Sequence, residues 1–162
     1  MEKINLKIIV FTLLAFNLCG NLNAQSYNDE KVSLSNFMKR MYTSKPFEGV
    51  KIIDDYDHNY LVSVVTLDKA KYTSESIMNR IAQVKAQSQA STFLNGATIS
   101  MDMVITTTEK KDSQNNINTI VKTVEQIKQN SAGFSRGLEL LSNFDNSDNS
   151  RMVYIYIREI LK

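Results

Sequence analysis

The chain has 162 residues, 19 lysines and arginines against 17 aspartates and glutamates, a formal net charge of +2, one histidine, one cysteine and no tryptophan. So even a balance gives no electrostatic footing for nucleic acid or an anionic membrane surface, and a lone cysteine excludes an internal disulfide and a cysteine-built metal site. The length suits one domain with a real core.

Lys3 and Lys7 precede an apolar run from Ile8 to Leu18, and Leu22-Asn23-Ala24 has the form of a cleavage site. Basic start, short apolar run and small-residue exit are the parts of a secretory signal peptide. The run is too short to span a bilayer as a stable helix. Cys19 stands where bacterial lipoproteins carry a lipidated cysteine, but the residue before such a cysteine is small and here it is Leu18, which favours cleavage after Ala24. Residues 1–24 are therefore expected to be removed. Residues 25–162 are expected to form a single exported domain of the periplasm or cell envelope, or a secreted one, with no integral membrane span.

In the remaining chain, Val32, Leu34, Phe37, Met38 and Met41 follow a helical spacing. They predict a short helix within 26–44 that ends before Pro46, because the residue preceding proline disfavours helix. Gly49–Tyr56 and Tyr60–Leu67 read as a hairpin with Asp57-His58-Asn59 at its turn, the second arm being rich in β-branched residues.

A long helix is predicted over about 74–95. Thr73 or Ser74 caps it and Glu75 suits its first turn, nothing from Ile77 to Leu94 breaks it, and Asn95-Gly96 ends it. At about 100° per residue, Ile77, Ile81 and Val84 form one stripe and Met78, Ala82, Ala86, Ala90 and Phe93 another. A helix lying on one sheet needs a single apolar arc, so two stripes imply two covers, the second being the N-terminal helix, another helix or another subunit. Ala82, Ala86 and Ala90 leave room for a neighbouring backbone and are the candidate interface, alongside ordinary core packing.

Ile99, Met101, Met103 and Ile105 alternate with Ser100, Asp102, Val104 and Thr106, the pattern of a strand with one buried face. Ile117, Ile120, Val121, Val124 and Ile127 step by three and four, which favours helix over a long antiparallel strand. Phe134, Arg136, Leu138 and Leu140 predict a strand face, Asp145–Ser150 a turn, and Met152–Arg158 the returning strand. The fold class is α+β, an antiparallel sheet with the long helix and a shorter N-terminal helix mainly on one face.

The chemical inventory is thin, and the reading is non-enzymatic, with no cofactor and no metal. His58 sits at a turn beside Asp55 and Asp57, without a Gly-x-Ser-x-Gly elbow. Asp55-Tyr56-Asp57-His58-Asn59 matches the first half of a calcium loop, but Tyr60 replaces the required glycine and Thr66 the bidentate glutamate. Asp145 and Asp148 belong to a polar turn. An enzyme would need a pocket around Asp102 or His58. Tyr154 and Tyr156, with Arg158, remain as recognition residues. They project from one strand face, either a face away from the helices that takes a glycan, peptide or partner, or one covered by the sheet's own side chains.

The run Ala90-Ser91-Thr92-Phe93-Leu94-Asn95-Gly96 and the alternating strand after it lead on to Ser131-Ala132-Gly133-Phe134-Ser135-Arg136-Gly137-Leu138-Glu139-Leu140-Leu141 and Met152-Val153-Tyr154-Ile155-Tyr156-Ile157. This layout resembles the twenty-kilodalton envelope lipoprotein family and the N-terminal domain of the flagellar assembly protein T, over roughly Asp55 to Arg158. The resemblance implies an α+β domain of a secreted or surface-attached bacterial protein. It brings no catalytic residues, and it implies that 117–130 is strand. The leader, the doubly striped helix and the thin inventory themselves point to protein contacts made by the second stripe or the sheet edges, with an envelope protein or a second copy as the partner.

Overall fold

The computed structural model describes residues 22–55, 58–96, 103–107 and 113–160. Most of the predicted leader with Cys19, the turn residues Tyr56 and Asp57, and Ile99, Met101 and Asp102 of the predicted strand lie outside the described residues. The chain divides into two compact units, Met1–Met41 and Tyr42–Lys162. Helix α1, Leu22–Ser44, is 23 residues long, not the shorter of the two predicted helices, because no glycine or proline interrupts it before Pro46.

Within Tyr42–Lys162 the order is β1 (Gly49–Asp55), β2 (His58–Asp68), α2 (Glu75–Gly96), β3 (Val104–Thr106), α3 (Ser113–Lys128), α4 (Ser131–Arg136), β4 (Glu139–Asp145) and β5 (Arg151–Ile160). The five strands form one sheet in the order β3-β1-β2-β5-β4. Its centre is the antiparallel pairing of β2 with β5, from Asn59↔Ile160 to Asp68↔Arg151. The fold is α+β as expected, but the sheet is mixed, since β3 runs parallel to β1 with Ile52↔Val104 in register.

The parallel pair follows from the path of α2. Near its start the Asn79 carbonyl lies over Tyr156 of β5, in its middle Ala86 meets Ser63 of β2, and towards its end Gln89 and Phe93 lie beside Gly49 and Val50. The helix thus crosses the sheet obliquely and leaves the chain near the beginning of β1, so β3 enters in the direction of β1.

Alternation sorts the strands into two faces. Ile52, Leu61, Val65, Leu67, Tyr154, Tyr156 and Ile160 pack with Met78, Ala82, Ala86, Ala90 and Leu94 of α2 and with Ile120 and Val124 of α3 in one core. Ile53, Val62, Val64, Val153, Ile155 and Ile157, on the opposite face, are buried too. Tyr42 belongs to that side, its hydroxyl 3.3 Å from Thr66 Oγ1 and its ring edge-on to Phe144 at 5.7 Å.

Two local expectations separate here. The three- and four-residue steps over 117–127 do form a helix, α3, with Ile120 and Val124 inward. The strand expected to include Phe134 and Arg136 does not start until Glu139. Those residues form α4 instead, because the Asn130 side chain accepts from the Gly133 N–H at 3.2 Å and caps it. Gly137 closes the helix, its N–H reaching the Phe134 and Ser135 carbonyls.

Candidate functional site: the outward face of helix α2

Ser74 is the residue that starts this helix, its Oγ accepting from the Ile77 N–H at 3.3 Å. From there Met78, Ala82, Ala86, Ala90 and Leu94 recur every four residues as a buried ridge. The alanines let the helix approach the sheet closely enough for Ser63 Oγ to lie 3.2 Å from the Ala86 carbonyl and 2.9 Å from Gln89 Oε1. Of the two expectations for this ridge, core packing is the one observed, and the interface is not. Ala82, Ala86 and Ala90 are wholly buried inside their own unit, and beside Ala86 the ridge admits the Ser63 side chain of β2.

Ile77, Ile81 and Val84 are left on the other side. At about 100° per residue they lie almost diametrically opposite the centre of the buried ridge. Val84 is 65% exposed and Ile77 43%, while Ile81 is partly buried. With Arg80 and Lys85 they line a shallow groove of about 350 Å³. Among the described residues neither Arg80 nor Lys85 has a carboxylate partner. Towards the helix end a second shallow groove, about 340 Å³, is lined by Gly49, Val50, Ser88, Gln89, Thr92 and Phe93 and carries no charge.

Tyr154 and Tyr156 do share a strand face, but it is the face under α2. Tyr154 is fully buried, Tyr156 nearly so, and the Tyr156 hydroxyl donates to the Asn79 carbonyl at 3.3 Å. Burial pushes both phenol pKa values up, helped by the Glu75 charge at Tyr154 and by Tyr154 at Tyr156. The Tyr154 hydroxyl has no hydrogen-bond partner among the described residues. Arg158 donates to the Gly133 carbonyl at 2.9 Å and to the Phe134 carbonyl, with its guanidinium 4.4 Å from the centre of the Phe134 ring. These three residues therefore hold the domain together and offer no open platform for a ligand.

The acidic turns are likewise engaged. Thr107 Oγ1 donates to Asp55 at 2.6 Å, and His58 Nδ1 lies 2.7 Å from Glu159. Asp148 accepts from the Ser150 hydroxyl and N–H at 2.6 and 2.9 Å, which holds its carboxyl below the usual range. Among the described residues no group of three or more histidine, cysteine, aspartate or glutamate side chains is placed to hold a metal, and no helix is long and apolar enough to cross a membrane.

Sequence reasoning found both stripes of α2 but missed Arg80 and Lys85. Their signal was available: Arg80 lies within four residues of all three stripe members and Lys85 of two, and each falls on a flank of the stripe. No family model matches the chain, and no curated protein or solved structure matches it.

Proposed function

We propose that the chain is a non-enzymatic exported protein of the bacterial cell envelope that works through protein contacts made by the outward face of α2. The observation that carries this reading is the exposure of Ile77 and Val84 on a helix whose opposite side is locked into the sheet. Fully burying such a side chain contributes roughly 1.5–3 kcal/mol, and these two are about half exposed already. Covering the stripe thus contributes a few kcal/mol, enough to orient a partner reversibly. The export part draws its support from the leader pattern of residues 1–24.

The sheet edge is the weaker contact surface. β4 is an edge strand, but its register shifts between Leu140 and Ser142 and acidic residues stand at both ends, Glu139 and Asp145. Bulges and charges of this kind blunt an edge against strand pairing.

The test is fractionation of cells making the full chain, followed by N-terminal sequencing and affinity isolation. The expected result is an envelope-located form beginning at Gln25 that loses its co-isolated protein when Ile77→Asp and Val84→Asp are introduced together. An uncleaved cytoplasmic protein, or unchanged co-isolation, would overturn the reading.

A further inference from the structure

The spacing of the stripe states what it fits. Ile77, Ile81 and Val84 are separated by four and three residues, the alternation of the a and d positions of a two-helix seam. With Ile81 at a, Ile77 and Val84 fall at d, and the a positions before and after are Ser74 and Ser88. The apolar seam is therefore two turns long and closed by a hydroxyl at each end. In the same frame Arg80 falls at g and Lys85 at e, the two positions that flank such a seam and face the partner's flanking charges. Both line the groove with the apolar residues, and both are exposed.

We infer that the occupant of this face is a helix of a different protein, amphipathic, with a two-turn apolar seam and carboxylates at its own flanking positions. The inference rests on the reading of the outward face as a contact surface and adds the partner's chemistry. A second copy of α2 is a poor occupant in either direction. Side by side and parallel, the g position of one helix meets the e position of the other, setting Arg80 against Lys85. Antiparallel, g meets g and e meets e, setting Arg80 against Arg80 and Lys85 against Lys85. Like charges at these positions repel and unlike ones select the partner. An anionic membrane surface is also poorly served. The stripe has three aliphatic side chains and no aromatic, and two cations are fewer than the clusters that hold proteins to acidic lipid.

The experiment places a photoreactive benzoylphenylalanine at position 84 of the full chain in its host and identifies the adduct by mass spectrometry. It is repeated in a background carrying Arg80→Glu and Lys85→Glu, and in one carrying Arg80→Lys and Lys85→Arg. The expected result is an adduct to a helical segment with carboxylates beside its apolar positions. Its yield should fall at least fivefold on charge reversal and persist in the conservative exchange, with circular dichroism showing all variants folded. An adduct to a second copy of the chain or to lipid would overturn the inference, and so would a protein adduct whose yield ignores the reversal. In that last case the contact reading survives while the partner chemistry fails. No adduct at all, with crosslinking intact at a control position, removes both.

Discussion

Arg158 shows how one side chain can look like a recognition residue and serve the fold. Its guanidinium ties β5 to α4 through two carbonyls and the Phe134 ring, and a Cβ on Gly137 would run into it. Gly137→Ala therefore expels Arg158 from its place, and Arg158→Ala removes the same contacts directly. Each should cost about 1.5–3 kcal/mol, the range for hydrogen bonds to charged groups. In urea titrations the double variant should cost little more than either single one, the signature of a shared interaction. Full additivity would separate the two residues.

The buried tyrosines give a pH prediction of definite sign. Raised phenol pKa values favour the neutral form in the folded chain, so the stability they carry is complete below the ordinary phenol value and is lost as pH rises past about 10. Replacing both by phenylalanine should flatten that alkaline loss. Singly the two diverge: Tyr156→Phe forfeits the bond to the Asn79 carbonyl and destabilises, while Tyr154→Phe removes an unpartnered buried hydroxyl and is neutral or stabilising. Asp148 behaves oppositely. Its depressed pKa lends stability above the ordinary carboxylate value that is lost as pH falls through the folded value. Thermal melts of Ser150→Ala and the parent chain should differ near neutral pH and converge in acid.

At the scale of elements, both stripes of α2 were legible from spacing, yet which one lies on the sheet was not. Hydrophobicity favours isoleucine and valine, whereas the helix turned its alanines inward, because small side chains let the Ser63 hydroxyl of β2 reach the Ala86 carbonyl. Ala86→Leu should then overpack the interface at a cost of about 1–3 kcal/mol. Val84→Ala should stay within about 0.5 kcal/mol by the same denaturation assay, as befits an exposed site. The helical reading of 117–127 succeeded because three- and four-residue steps do not fit a pleat. The strand reading of Phe134 and Arg136 failed because their alternation fits one, and only the capping of Asn130 and the closing turn at Gly137 override it. The parallel placement of β3 was illegible for a further reason, since it depends on the oblique course of α2 across the sheet.

For the whole molecule, the balanced charge and thin chemical inventory gave no site, and the outward helix face emerged only once the inward one had been accounted for. Both faces of the sheet are buried and its long edge is bulged and acid-flanked. Leu140, 47% exposed, lies on that edge, and Val32, 50% exposed, lies on α1; Ile77 and Val84, 43% and 65% exposed, instead share one helix face and form an apolar stripe that another protein can cover. The direct measurement is maleimide labelling of Val84→Cys in intact cells and in the purified protein, with Asp148→Cys in the outer turn as reference. A covered face predicts labelling at 84 that is fast in the purified protein and strongly slowed in cells, while 148 labels alike in both. Equal labelling of position 84 in cells and in solution would contradict the account.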